Sequence, residues 1–295
     1  MRVLRNAAEL ESYLNGRGWR LGHGPVIVPT MGALHDGHAR LIRAGAARAL
    51  QEQNPLGCIV WAFVNPTQFN DPGDLARYPR TLDADIDLSA GAGASAVFAP
   101  SVGDVYPPGI AIPVPALPPV ATEPGLEDLY RPGHFAGVCQ VVNRFFSLMR
   151  PSVAFFGEKD WQQLSVIRAM VARLSIDTEI ASIPTVREPD GLAMSSRNRF
   201  LDPEARARAS AIWRALRAAS DEPDAAGAEQ EMHRILTDAG LEPDYAVLRE
   251  SHALAPIAPE SRRAAPGSHR ALIAARAGAI RLIDNADWAL GPGAP

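Results

Sequence analysis

The stretch Val26-Ile27-Val28-Pro29-Thr30-Met31-Gly32-Ala33-Leu34-His35-Asp36-Gly37-His38 decides the fold. Residues 26–30 form a continuous apolar, β-rich run, the pattern of a strand buried on both faces. The chain then turns through two glycines, and from residue 38 to about 53 the spacing becomes helical, with Leu41, Ile42, Ala46 and Ala49 near one face. Working outward, further buried strands are expected at residues 58–64, 95–99, 153–156 and 178–183, with helices at 135–149 and 161–174. Continuous apolar strands separated by helices predict an α/β fold, a parallel sheet covered on both faces, over residues 1–185. After about Val186 the order changes. Residues 203–240 read as two amphipathic helices, followed by strand-like runs at 245–248, 271–274 and 280–283, which predicts a smaller α+β domain over residues 186–295.

Bulk composition narrows the function. Apolar residues at 47% and charged residues at 21% suit a globular chain with a proper core. A formal charge of −4 leaves no basic surplus for nucleic acid or an anionic membrane, so any phosphate site must be local. The only two cysteines, Cys58 and Cys139, lie in apolar patterns without metal-ligand spacing and read as reduced thiols. With no apolar leader or spanning stretch recognised, a cytoplasmic protein is expected. The Pro-rich residues 107–124 lie inside the first domain's pattern and read as a rigid loop or edge insertion near the site rather than as disorder.

Ligands of a parallel sheet sit beyond the C-terminal ends of its strands, and four of the five unusual clusters fall after expected strands. His35 and His38 flank Gly37 where a helix begins, and a helix N-terminus with two imidazoles can hold a phosphate. Asn65 and Gln68 offer neutral amides for the hydroxyl and carboxylate groups of a small substrate. Thr81 is expected to cap a helix whose first turn favours Asp83 and Asp85. The chain uses arginine 28 times and lysine once, at Lys159 in Gly157-Glu158-Lys159-Asp160. A chain that has replaced every other lysine points to a need there for a compact ammonium against phosphate. Gln163, one turn on, could reach the substrate, and Asp160 suits a cation or a ribose hydroxyl. Finally Met194-Ser195-Ser196-Arg197 has the composition of a phosphate-binding loop. The Gly-rich dinucleotide fingerprint and the P-loop are both missing, which removes ordinary dehydrogenase and kinase readings.

His35-Asp36-Gly37-His38 paired with Met194-Ser195-Ser196-Arg197 resembles the HIGH and KMSKS-type signatures of the nucleotidylyltransferase superfamily. Within it the chain is similar to the pantothenate synthetase (pantoate–β-alanine ligase) family, whose motifs PTMGALHxGH, FVNPxQF, YPRT, RPGHFxGV, FFGEKDxQQ and MSSRN are legible in order between about residues 26 and 201. The resemblance implies a homodimer with a Rossmann-like, doubly wound N-terminal domain and a C-terminal lid. It implies ATP, Mg²⁺, pantoate and β-alanine as ligands, and a pantoyl-adenylate made with loss of pyrophosphate before the amine of β-alanine attacks. A nucleotidylyltransferase acting on another small acceptor is the alternative.

Carried over by position, the ATP contacts would be Met31, Gly32, Ala33, Leu34, His35, Asp36, Gly37 and His38. The second group would be Gly157, Glu158, Lys159, Asp160, Val186, Met194, Ser195, Ser196 and Arg197. Gln68 would hold pantoate and β-alanine, and Gln163 pantoate, with Asn65 beside them. His38 would be the proton donor; His35, Lys159, Ser195, Ser196 and Arg197 would complete the catalytic set as cationic or polar donors. Arg131 and His134 of the RPGHF motif would act indirectly. Trp161 stands where a smaller aromatic is usual and Asp36 where Glu is common, Leu126 to Tyr130 lacks the usual glycines, and no protein ligand for Mg²⁺ is assigned.

Overall fold

The computed structural model describes residues 1–20 and 23–289; the last residues of the expected second domain, 290–295, lie outside that range. Its main sheet has six strands, β1 (Arg2–Leu4), β2 (Val26–Thr30), β3 (Cys58–Ala62), β4 (Ala96–Phe98), β5 (Val153–Gly157) and β6 (Glu179–Ile183). They lie in the order β1-β4-β3-β2-β5-β6, all parallel. Without the edge strand β1 this is the doubly wound nucleotide-binding order, and the winding reverses between β2 and β5.

The helices α1 (Ala7–Gly16), α2 (Asp36–Gln51), α3 (Pro72–Arg77), α4 (Leu82–Gly91), α5 (Val102–Val105), α6 (Glu127–Tyr130), α7 (His134–Met149) and α8 (Trp161–Arg173) connect the strands. Alternation along β2 shows why both faces need cover. Val26 and Val28 join one core with Ile42 of α2, while Ile27 joins another with Phe145 of α7 and Ile167 of α8, and all six are fully buried.

The C-terminal part contains α9 (Pro203–Ala209), α10 (Ala211–Ala219) and α11 (Ala225–Asp238), then an antiparallel sheet of β7 (Glu242–Glu250), β8 (His269–Ala277) and β9 (Ile280–Asp287). Three helices stand where two were expected, because the first helical stretch breaks at Ser210. Ile212, Leu216, Met232, Leu236, Ile273 and Trp288 form its own core. The opposite face of this sheet, through Tyr245, Leu272 and Ala274, packs into the core of the first sheet. Neither β1 nor α1 was anticipated. β1 is only three residues long, and α1 starts at Asn6, whose side chain accepts the N–H of Glu9.

Two details position the site. β2 and β5 pair only at Val26 with Val153 and Ile27 with Ala154, although β2 continues to Thr30 and β5 to Gly157. Their C-terminal ends therefore diverge into a crevice at the reversal point. The Pro-rich segment is ordered chain strapped to the helices: Gln140 of α7 donates to the Ile112 carbonyl at 2.7 Å and Gln162 of α8 to the Val120 carbonyl at 3.1 Å.

Gly137 of α7 lets the helix approach the loop after β3, since a Cβ there would lie 2.4 Å from the Thr67 carbonyl oxygen and 2.7 Å from the Gln68 nitrogen. Alanine gains about 1 kcal/mol of helix propensity, but rigid backbone on the other side makes overpacking by up to about 3 kcal/mol the larger effect. Gly137→Ala is expected to lower stability by about 2 kcal/mol on that balance, measured by urea unfolding. An unchanged or raised midpoint would refute the close-approach argument.

Candidate functional site

The turn after β2 is held open from below. Gly32 and Ala33 both take left-handed backbone angles, φ 78° and 52°, the second unfavourable for a residue with a Cβ. The buried carboxylate of Asp85 on α4 compensates by accepting the N–H of Ala33 at 3.0 Å and of Leu34 at 2.8 Å. Thr81 occupies the N-cap position of α4, but its hydroxyl makes no capping bond. It donates to Asp85 at 3.1 Å instead, because that carboxylate is committed to the turn. Ala33 and Leu34 thus shape the turn after β2 through N–H groups already satisfied by the protein.

Helix α2 begins two residues earlier than its apolar period suggested, with His35 as N-cap. The His35 Nδ1 accepts the N–H of Gly37 at 3.2 Å, and the His38 Nδ1 accepts the N–H of His35 at 3.3 Å. A ring nitrogen that accepts carries no proton, so both rings hold theirs on Nε2. Burial, with Lys159 and Arg199 nearby, lowers the His35 pKa to about 4. Burial, then His35 and Lys159, lowers that of His38 to about 3. Of the cationic or polar roles the sequence allowed them, the structure favours the second: at neutral pH they are uncharged donors, because their cavity disfavours more positive charge.

Asn65 and Gln68 divide their work differently from the expectation. The Asn65 Nδ2 donates to the Gly137 carbonyl at 3.1 Å and to the Gln68 Oε1 at 3.0 Å, while its Oδ1 accepts from Tyr106 at 2.9 Å and the Thr67 hydroxyl at 3.1 Å. The fully buried Asn65 amide is consumed within the protein and orients Gln68. Gln68 consequently turns its Nε2 donor to the cavity, where the Met31 sulfur lies 3.0 Å away. The His134 Nδ1–H donates to the Gln68 carbonyl at 2.9 Å, which fixes the backbone of the same residue. Burial, aided by the charge of Arg131, lowers the His134 pKa to about 3.

These groups meet in a cavity of about 210 Å³ in the β2–β5 crevice. Met31, His35, Gly37, His38, Asn65 and Gln68 line one side. Gly157, Lys159, Asp160, Gln163, Val186 and the loop from Met194 through Arg197 line the other. Gly32, Ala33, Leu34, Asp36 and Glu158 do not line it. Glu158 faces Ser182 on β6, whose hydroxyl donates to it at 2.9 Å. Sequence reasoning missed the apolar wall of Phe63, Val138, Val141 and Val142, because valines at helical spacing on α7 read simply as core. Tyr78, seen only as part of its motif, also lines the cavity.

A second cavity of about 390 Å³ shares Tyr78, Lys159, Asp160, Ser195, Ser196 and Arg197 with the first and opens toward β9. Glu127 lies on its wall. Burial would raise that carboxyl's pKa, but Arg281, at 2.6 and 2.9 Å, with Arg131 and the Tyr245 hydroxyl, holds it down at about 2. Among the described residues no group of three or more His, Cys, Asp or Glu could hold a metal, and no helix is long and apolar enough to cross a membrane. Asp160 is the one carboxylate that lines both cavities.

Comparison with known proteins shows the family of the chain. A family model described as pantoate-beta-alanine ligase matches residues 2–287. The chain is 44% identical to the pantothenate synthetase of Nocardioides sp., over 98% of this chain and 84% of the relative. It is 45% identical to that of Myxococcus xanthus, over 96% and 94% respectively. The crystal structure of pantothenate synthetase from Thermus thermophilus superposes with a TM-score of 0.86 at 38% identity, covering 98% of this chain and all of that one. That of pantoate-beta-alanine ligase from Francisella tularensis, complexed with beta-gamma ATP and beta-alanine, gives 0.78 at 32% identity, covering 99% of this chain and 100% of that one.

The buried imidazoles set a pH response. The unfolded chain takes up protons on His near pH 6.5, whereas the folded rings of His35, His38 and His134 resist until about pH 4 or 3. Between those limits the unfolded state binds more protons, so these residues make stability fall as pH drops below about 6.5 and leave it flat above. Two-bond ¹H–¹⁵N spectra at pH 7 should show neutral Nε2–H rings for His35 and His38 and a neutral Nδ1–H ring for His134. Imidazolium patterns at that pH would contradict the assignment.

Proposed function

The chain belongs to the pantoate–β-alanine ligase family, and from that membership we propose the chemistry of its cleft. It is an enzyme of that family, and the proposed reaction is condensation of (R)-pantoate with β-alanine through a pantoyl-adenylate, with ATP as co-substrate. The observation that carries the reading is a single crevice in which phosphate-type donors face neutral amides across an apolar wall. Lys159, the two imidazole Nε2–H groups and Ser195-Ser196-Arg197 form the first set. Gln68 and Gln163 form the second, beside Val138, Val141 and Val142, which suit the dimethyl carbon of pantoate.

A carboxylate is a poor acylating agent until its oxygen becomes part of a leaving group. In the proposed first step a pantoate carboxylate oxygen attacks the α-phosphorus of ATP and pyrophosphate leaves. Negative charge moves onto phosphate oxygens, so the reaction needs placed donors more than a protein nucleophile. Lys159 and Arg197 supply charge. His35 and His38 supply neutral hydrogen bonds that a water-poor cavity makes strong. Gln68 points a donor at the substrate carboxylate or hydroxyl. In the second step the β-alanine amine attacks the acyl carbon and AMP leaves with the former carboxylate oxygen.

Mg²⁺ is proposed as the partner of the ATP phosphates. Such an ion needs only one or two protein carboxylates when phosphates supply the rest, and Asp160 would hold it, neutralising charge on the departing pyrophosphate. We further propose that residues 1–185 and 186–295 act as catalytic domain and lid, and that the enzyme is a cytoplasmic homodimer. Family membership supports these assignments, and the two cysteines form no disulfide, which is compatible with a reducing compartment.

Pantoate-dependent exchange of labelled pyrophosphate into ATP, with Mg²⁺ present and β-alanine omitted, tests the first step. Wild type should exchange, and Lys159→Ala should lose about 100-fold or more, the scale of removing one preorganised donor to developing charge. Lys159→Arg should fail to restore the rate, because a planar guanidinium does not replace a compact ammonium. Exchange without pantoate, or a Lys159→Ala rate within a few-fold of wild type, would overturn the proposal.

A further inference from the structure

The strand β9 reaches across from the C-terminal sheet and grips the turn that carries Lys159. Asn285 is 3% exposed, and its Nδ2 donates to two successive carbonyls, those of Glu158 and Lys159, each at 2.9 Å. Its orientation is unambiguous. The Oδ1 accepts from the Arg270 guanidinium, which can only donate, and the opposite end meets carbonyls, which can only accept. Arg270 is fixed in turn with its guanidinium carbon 3.3 Å from the centre of the Trp161 ring, and the Trp161 indole donates to the Ser251 carbonyl at 2.8 Å. The neighbouring Asp284 holds Arg187, in the chain after β6, through bonds of 2.5 and 3.1 Å, so β9 is anchored on both sides of the crevice.

Lys159 itself has little else to place it. Its ammonium lies 4.0 Å from the Asp160 carboxylate, a loose contact, on a flexible four-carbon stem. The direction in which that stem leaves the chain is therefore set by the peptide planes on either side of it. One buried amide holds the carbonyls of both Glu158 and Lys159.

We propose that Asn285 is a positioning residue for Lys159, a second-domain side chain that aims the ammonium into the crevice by clamping the 158–159 carbonyls. The proposal rests on the role assigned above to Lys159. Asn285→Ala removes both donors, and Asn285→Asp turns a carboxylate toward two carbonyls that repel it.

The test is pantoate-dependent pyrophosphate exchange on Asn285→Ala, Asn285→Asp, Lys159→Ala and the Lys159→Ala/Asn285→Ala double variant, with melting temperatures measured in parallel. Asn285→Ala should lower the exchange rate about 10- to 100-fold, the cost of a misplacement near 1 Å. Asn285→Asp should lose at least as much, and the KM for pantoate should stay near wild type in both. In the Lys159→Ala background the same change should cost less than about two-fold, because a positioning residue has nothing left to position. If Asn285→Ala does not fold, Asn285→Ser, which keeps one donor, carries the same comparison. Wild-type exchange in Asn285→Ala, or full losses that multiply in the double variant, would overturn the assignment while leaving the Lys159 reading standing. Wild-type exchange in Lys159→Ala alone would instead remove the reading on which the proposal rests.

Discussion

The divergence of β2 and β5 is the constraint on which the rest of the structure depends. Two strands that pair at Val26–Val153 and Ile27–Ala154 and then separate leave backbone and side chains without sheet partners. Buried polar groups cannot stay unpaired without large cost, so each separated end is taken up by something else. Asp85 takes the N–H groups beyond β2, and Asn285 takes the carbonyls beyond β5. What remains between them is a crevice whose flanking turns are held by buried hydrogen bonds. Preorganisation of this kind allows electrostatic stabilisation without reorganising the protein during the reaction.

Charge in the crevice is rationed by burial. The His35 and His38 ring centres are 4.1 Å apart, and two full charges at that separation would repel by about 4 kcal/mol at an effective dielectric of about 20. With Lys159 beside them, both rings stay neutral and offer Nε2–H bonds. The site thus combines one ammonium and one guanidinium with several uncharged donors. That mixture suits the polyphosphate proposed for the crevice without a large excess of positive charge.

Short-range pattern makes the loops that line the cavity readable. Strands β2 to β5 announce themselves by apolar runs, whereas the edge strand β6 carries Glu179 and Ser182 and is nowhere fully buried, contrary to the expectation for residues 178–183. Unusual clusters follow most of these strands, so His35, His38, Gln68 and Lys159 stand out in the chain, as does the separate motif Ser195 to Arg197, and all of them line one cavity. Groups whose partners lie far away could not. Asp85 serves a turn 52 residues upstream. From the chain alone Thr81 reads as an ordinary cap and Asn65 as a substrate amide, because nothing local reveals Asp85 as the partner of the first or Tyr106 and the Gly137 carbonyl as partners of the second. Asn285 sits in an ordinary strand, and its meaning appears only when the antiparallel sheet is folded against the turn 126 residues before it. The uncharged state of the imidazoles is likewise a property of the cavity, which composition does not report.

In the proposed reaction the crevice directs a pantoate carboxylate oxygen to the α-phosphorus of ATP. Turnover of pantoate labelled with ¹⁸O in both carboxylate oxygens, followed by mass spectrometry of the nucleotide, tests it most directly. One labelled oxygen should appear in the phosphate of AMP and none in pyrophosphate. Label in inorganic phosphate or pyrophosphate, with AMP unlabelled, would mean that activation takes place elsewhere on the triphosphate and would contradict the account.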